Sequence, residues 1–589
     1  MTNPFAKLIQ NVSERFSVNK IPKTLFYSII FYGVALNIIY ALLPPNFFHP
    51  DEIYQSLEVA HEMVYGYGII SWEWQVGTFK IGNIGYGPIR SIITPLIIAS
   101  FFVLGNILNL NYWNVVLPLI RVSLDISFLI GLYFASKILK ELNPDKFSQS
   151  DKIFLVLVLF FHDTFLYGSK ALTNTMVASF VFIALYIWIK TNKSKSETND
   201  QTISDKQPSM LMKFKTHFFE STSLKNEFYE GIGGFFVGLA IWMRPDSAFL
   251  MGFFVLITID KIQLNKTINF ALGFVFSAIL DGMLDLIYYG RFFETFINFV
   301  VFNEAHQSYF GTDPFGWYFM TFILNQKSFY YLFILTLTVL VVMGINIFIQ
   351  ILVKNYYPNV IKDFIFLIKL FLWVFLDLIW WETQPHKENR FMILWEVIFL
   401  LLGAYVLSLC GKYIKKLLES AVLEKNYFPF FKSIKNFNTK NKYAILIFIV
   451  FLLSIPYFEA DVQESTQIPW NNFHDILEAS VWVGQHNVTG LGIIMPLFYS
   501  GGYSYLHKNV TIYNINNPFN INTVNPHPNL IGVLSGTFVP GILANNGIIN
   551  YLIVPTYRYS EIILLNQSIY AYGFKLVKVI YGSCDVFYF

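Results

Sequence analysis

Apolar stretches of about bilayer length recur down most of this chain, and no other feature limits its fold as tightly. A helix needs about 20 residues to cross the hydrocarbon of a membrane. Segments of that length or somewhat shorter lie at 24–43, 91–109, 113–136, 153–168, 172–190, 231–258, 269–289, 329–352, 360–381, 390–411 and 443–456. That is about eleven, more than a water-soluble core absorbs, so the expected fold is mainly α: a polytopic membrane helix bundle. Hydrophobic residues make up 55% of the 589 and charged ones 13%, against about a quarter charged in soluble chains. Disordered, nucleic-acid-binding and cytosolic globular classes are thereby excluded. A net charge of +3 is too small to argue for a charged partner.

The first 23 residues are polar and carry Lys7, Arg15, Lys20 and Lys23. They read as a cytoplasmic N-terminus before an uncleaved first span. A multi-span region is expected over 24–456, broken within 231–258 by Arg244-Pro245, since proline removes a backbone donor. The stretch 412–442 holds eight Lys and two Glu with no Arg or Asp, which places it in the cytoplasm. Residues 457–589 then fall on the opposite side as a small mixed α/β domain. That tail has β-like runs (LGIIMPL, NVTIYNI, INYLIVP) and three N-glycosylation triplets, at Asn487, Asn509 and Asn566. Simple alternation puts loops 137–152 and 191–229 on the tail side, whereas their lysines favour the other side. Either one short segment does not cross, or the acids mixed into both loops let them through. The two cysteines, Cys410 and Cys584, read as free thiols.

The loop 44–90 is densest in reactive side chains. Asp51-Glu52 follow His49-Pro50 directly, and Gln55, Glu58, His61 and Glu62 recur at helical spacing. Pro50 suits a first helical turn, where acids are favoured by the dipole. An interfacial amphipathic helix would show the same pattern. A metal site from His49, Asp51 and His61 matches no strong ligand spacing. A second cluster runs from Trp380 to Phe391 and includes His386, Lys387 and Arg390. Such cations at an interface can hold a lipid-borne phosphate or anchor headgroups. Within apolar runs, Arg121 with Asp125 reads as an ion pair between spans, and Asp281 and Asp285 are further buried charges. A transporter would use these four as its pathway and should show internal repeats; none is visible.

The string from His49 to Gly68, with Ser71-Trp72-Glu73-Trp74 and Ile89-Arg90-Ser91, resembles the first luminal loop of the GPI mannosyltransferases of glycosyltransferase family 22. His386-Lys387-Glu388-Asn389-Arg390-Phe391 resembles that family's second signature. Leu172-Thr-Asn-Thr-Met176, Arg244-Pro245 and Asp285-Leu-Ile-Tyr-Tyr-Gly290 are similar to further family strings. Gln55-to-His61, Leu172-to-Met176 and the tail string Ile494-to-His507 are most similar to the enzymes adding the third GPI mannose.

The resemblance implies a C-type glycosyltransferase fold in the endoplasmic reticulum membrane with a luminal site. It implies dolichyl-phosphate mannose as donor, a GPI precursor as acceptor and membrane lipid as surroundings, with no nucleic acid and no cofactor. The reaction would be an inverting α-mannosyl transfer, to the third mannose in α-1,2 linkage. The fourth GPI mannose or a dolichol-linked oligosaccharide is the alternative. Such a displacement needs a carboxylate base and a stabilised leaving phosphate. Asp51 is expected as base with Glu52 beside it, in an order that residue types leave open. His386, Lys387 and Arg390 are expected at the phosphate. His49, Gln55, Glu58, Trp72, Trp74, Arg90 and Trp317 are expected to contact substrate. A donor leaving with one phosphate needs no metal.

Overall fold

The computed structural model describes residues 23–42, 49–77, 79–81, 84–145, 148–201, 221–259, 264–306, 308–309, 311–353, 357–423, 471–495, 501–528, 530, 536–562, 564–580 and 584–589. Seven helices among them are long and apolar enough to cross a membrane. In chain order the helices are α1 (Lys23–Leu42), α2 (residues 50–65, with a π-turn at Ile53–Leu57), α3 (Ile93–Ile107), α4 (Tyr112–Leu142), α5 (Ser150–Leu159), α6 (His162–Gly168), α7 (Thr173–Gln201), α8 (Ser221–Met243), α9 (Ser247–Thr258), α10 (Leu264–Tyr289), α11 (Glu294–His306), α12 (Lys327–Leu352), α13 (Pro358–Thr383), α14 (Ile393–Leu423) and α15 (Asn471–Gly484). The expected break at Arg244-Pro245 separates α8 from α9, and the segment expected over 153–168 is likewise divided, into α5 and α6. The segment 443–456 lies outside the described residues.

Two sets of contacts mark the ends of the bundle. At one end Asp51 meets Arg390, Asn174 Nδ2 donates to the Arg390 carbonyl at 2.7 Å, and Tyr112 Oη donates to the Ser504 carbonyl at 2.7 Å. At the other, Lys412 reaches Asp145 at 3.0 Å and Asp363 at 2.7 Å, Ser148 meets Ser408 at 2.8 Å, and Lys190 meets Glu141 at 3.2 Å. The pass between Arg390 and Lys412 takes 22 helical steps, about 33 Å at 1.5 Å each.

These contacts resolve the conflict over the loops. Helix α3 begins beside Ser91, whose hydroxyl donates to Asp281 at 2.8 Å, and ends at Asn106, which accepts from Tyr65 Oη at 3.0 Å. Both of its ends lie at the Asp51 end. Its 15 residues extend about 22 Å, short of the hydrocarbon thickness. The apolar segment 91–109 therefore does not cross, and the passes from α4 to α8 run opposite to the direction simple alternation gives them; the break at Arg244-Pro245, which makes two helices of one expected span, restores the expected order after it. Loop 137–152 and the start of 191–229 share the end that carries Lys412.

The tightest helix pair is α8 with α10. Gly234 and Gly273 sit where a Cβ would collide with a backbone carbonyl of the facing helix. Small residues let membrane helices approach to backbone contact.

The tail forms a six-stranded mixed sheet in the order β5-β4-β3-β6-β8-β7: β3 Leu491–Ile493, β4 Ile512–Ile515, β5 Val524–Asn525, β6 Tyr551–Pro555, β7 Lys575–Ile580 and β8 Cys584–Tyr588. Strands β3, β4 and β6 are parallel, and β6 is buried along its whole length, as a continuous apolar run demands. A two-stranded ribbon, β1 (Phe79–Ile81) with β2 (Ile84–Tyr86), projects from the loop after α2.

Candidate active site

Helix α2 presents the acidic pair. His49 caps it, its Nδ1 accepting the Asp51 N–H at 3.2 Å, and Pro50 occupies the first turn. Asp51 points toward the residues that open α14. Its Oδ2 is ion-paired with Arg390 Nη1 and accepts from Gln55 Nε2 at 2.5 Å. The Arg390 Nε pairs with Glu388, which also takes His386 Nε2 at 2.8 Å and lies 3.6 Å from His49 Nε2. Gln55 reaches on to Glu73 at 3.2 Å, and Glu73 binds Arg90 at 2.7 Å. Strings more than 330 residues apart thus close into one network.

Burial alone would raise the Asp51 pKa. Arg390, His49 and Arg90 together outweigh it and hold the carboxyl well below the usual carboxylate range. Glu388 is brought to about 2 against its own burial, by Arg390, His386 and His49. Both acids are therefore ionised at neutral pH.

Lys387 is buried, and its ammonium donates to the carbonyls of Gln384 at 2.6 Å and Asp313 at 3.2 Å. Tyr318 clamps the same turn: its hydroxyl accepts the Glu388 N–H at 3.0 Å and lies 3.2 Å from the Glu388 carbonyl. Trp317 stands edge-on to Tyr318, with ring centres 5.0 Å apart.

Not every expected residue joins this network. Glu58 is fully buried and accepts the N–H of Ile69 at 2.8 Å and of Ser504 at 2.5 Å, fastening the loop to the tail. Trp74 is buried against Val59 and Ile92, and Trp72 lies on Phe302 at 5.2 Å. Two acids escaped notice in the sequence, Glu388 and Glu73. Each lies inside a string already singled out, and nothing beyond its residue type marked either one.

Glu52 turns away from Asp51. It is buried in the wall of a cavity of about 450 Å³, with Arg121, Lys170, Trp113 and Tyr505. The ion pair expected between Arg121 and Asp125 is absent among the described residues, because Arg121 faces this cavity while Asp125 packs its carboxyl on Gly168. Asp281 and Asp285 do not form a pathway either. Asp285 accepts the backbone and hydroxyl of Thr295 at 2.8 and 2.7 Å, holding the loop after α10.

The helix order, the reactive loop at one end and the small sheet domain beside it match one solved class. ArnT of Cupriavidus metallidurans, crystallised with undecaprenyl phosphate, superposes with a TM-score of 0.51 at 12% identity, covering 96% of this chain and 97% of that one. The fold is that of the C-type membrane glycosyltransferases. Residues 28–507 match the Alg9-like mannosyltransferase family, and the chain belongs to that family, a member of glycosyltransferase family 22. Among curated relatives, mannosyltransferase APTG1 of Arabidopsis thaliana is 25% identical over 82% of this chain and 76% of its own length. GPI mannosyltransferase 3 of Saccharomyces cerevisiae is 22% identical over 85% and 78%. GPI alpha-1,2-mannosyltransferase 3 of Homo sapiens is 24% identical over 49% of this chain and 45% of its own length. The protein is a membrane mannosyltransferase.

Proposed function

We propose that this chain transfers mannose from dolichyl-phosphate mannose to a GPI-anchor precursor, adding the third mannose in α-1,2 linkage with inversion. The meeting of Asp51 with Arg390 and Glu388 carries this reading. It joins a carboxylate to cations at one end of the helix bundle, and relatives named GPI mannosyltransferase 3 support the acceptor. The acceptor oxygen attacks the anomeric carbon as the bond to the phosphate oxygen breaks. Its proton goes to Asp51, and dolichyl phosphate leaves with the electron pair. Arg390, His386 and Lys387 face the departing phosphate as the cationic side of the site.

Asp51 is a weak base while Arg390 is committed to it. A phosphate entering beside Arg390 competes for that guanidinium, and the carboxylate becomes more basic as the leaving group takes its place. His49 and Gln55 orient Asp51, and the Arg90–Glu73 pair orients Gln55. Trp72 and Trp317, both partly exposed, are the aromatic faces offered to sugar, whereas Glu58 acts through its hydrogen bonds to Ile69 and Ser504 and the buried Trp74 through packing. The enzyme sits in the endoplasmic reticulum membrane with this end luminal. Asn487, Asn509 and Asn566, all exposed on the tail, fit a lumen where such triplets are modified.

The test is transfer of labelled mannose from dolichyl-phosphate mannose in membranes. Asp51→Asn should lose at least about a hundredfold in turnover while folding normally; unchanged turnover would refute the role. Product mapping then reads the linkage, and mannose at the fourth position or on a dolichol-linked oligosaccharide would overturn the acceptor assignment.

A further inference from the structure

The cavity on the Glu52 side is not used by the network at Asp51. It lies between the start of α4, the turn joining α6 to α7, and the tail, and Leu42, Leu57, Leu117, Ile120 and Leu124 give it an apolar flank. Two cations stand in its wall. Lys170 is buried, and its ammonium makes no hydrogen bond or ion pair with any described residue. Arg121 has a buried Nε that likewise has no partner among them. The carboxylate acting electrostatically on both is Glu52, one charge against two. From the tail, Glu478 and the exposed Lys578 add one charge of each sign. Cations withdrawn from water without matching anions are costly, and a fold keeps them where an anion arrives.

We propose that Arg121 and Lys170 bind the phosphate group of a lipid-linked substrate, with the lipid against the apolar flank and the attached sugar toward Trp113 and Tyr505. A guanidinium supplies paired donors to phosphate oxygens, and an ammonium adds a compact charge. The two lipid substrates of the proposed function both carry phosphate, so the chemistry fits the donor or the acceptor. This deepens that reading by placing a second phosphate contact on the other side of the acidic pair.

The test measures binding rather than turnover, so it stands apart from the fate of Asp51→Asn. The purified full chain in detergent is melted with a short-chain polyprenyl phosphate, with the corresponding polyprenol, and with phosphatidylinositol. The native chain should be stabilised by a phosphate-bearing lipid and not by the alcohol. Lys170→Gln and Arg121→Gln should each weaken that binding about tenfold or more, with partial rescue in Lys170→Arg. Protection by polyprenyl phosphate assigns the site to the donor; protection by phosphatidylinositol assigns it to the acceptor. Without ligand, the Gln variants should melt at or above the native temperature, since each removes a buried cation lacking a partner. Equal protection by phosphate and alcohol, unchanged affinity in both variants, or a ligand-free loss of stability would overturn the proposal.

Discussion

Arg390 is the residue on which two carboxylates depend. Arg390→Met keeps most of the hydrocarbon volume and deletes the charge, leaving Asp51 and Glu388 without their guanidinium. Removing one partner of a buried pair costs about 3–5 kcal/mol. Here the carboxylate side chains are 20% and 25% exposed, so water recovers part of the loss. The expected destabilisation is about 2–3 kcal/mol at pH 7. Adding Asp51→Asn removes one orphaned charge, so the double variant should be more stable than the sum of the singles by about 1–2 kcal/mol. Unfolding in mixed detergent micelles reads all four corners of the cycle. The pH dependence carries a sign as well. Both acids have depressed folded pKa values, so their stabilisation is complete above the unfolded carboxyl range and lost as pH falls through the folded values. For Glu388 that window runs from 4.5 down to about 2. Arg390→Met should flatten this acid limb. An additive cycle, within about 0.5 kcal/mol, together with an unchanged acid limb would refute the assignment of Arg390 as the common counter-ion.

The joint between loop and tail makes further predictions. His61 Nδ1 faces the Tyr67 carbonyl at 2.9 Å and so carries the proton, leaving Nε2 to accept from His507 Nδ1 at 2.9 Å. Burial, with the neighbouring imidazole for His61 and Lys508 for His507, lowers both to about 4 from 6.5, so stability present above pH 6.5 should drain away between 6.5 and 4. The loss should reach about 3 kcal/mol at His61 and less at the more open His507, and His507→Phe should shrink the pH dependence of melting. Glu58→Ala strands two backbone donors and should cost about 3 kcal/mol or more. Gly502→Ala, at φ +60° with its Cβ 2.5 Å from the Glu58 carboxylate, should fail at the same joint. Limited proteolysis should release the tail from both variants well before the native chain.

The long apolar helices, the break at Arg244-Pro245 and strands β3, β4 and β6 were legible because hydrophobic period and proline chemistry act locally. The sidedness of the loops was not. Residues 91–109 are as apolar as a crossing helix, and what keeps α3 at one end is its tethers at Ser91 and Asn106. Those are partners from distant sequence, invisible to any window average. In the site, Asp51, Arg390 and His386 could be picked by type. Their union through Glu388 could not, since a Glu two residues before an Arg is ordinary on a solvated surface. Glu58 misled for the opposite reason: at helical spacing from the acidic pair it looked functional, yet the tail supplied Ser504 N–H and turned it into a structural acceptor. Arg121 and Asp125, four residues apart, matched an ion-pair pattern, but the guanidinium found a cavity and the carboxyl found Gly168.

The adjacency of Asp51 and Glu52 gains its meaning from helix geometry. Successive residues on a helix diverge by about 100°, so neighbours cannot share a target. Asp51 pairs with Gln55 one turn on and faces Arg390, while Glu52 is swung toward Arg121 and Lys170. One turn of α2 is thereby held between two cationic groups from different parts of the fold. Each acid draws on a cation that a phosphate would also draw on. In the proposed reaction a phosphate arriving beside Arg390 loosens its grip on Asp51, whereas one held by Arg121 and Lys170 leaves the Asp51–Arg390 pair intact. On that reading Asp51 is freed to accept a proton while Glu52 stays directed at the second cationic group, two directions that a single carboxylate at this position could not face.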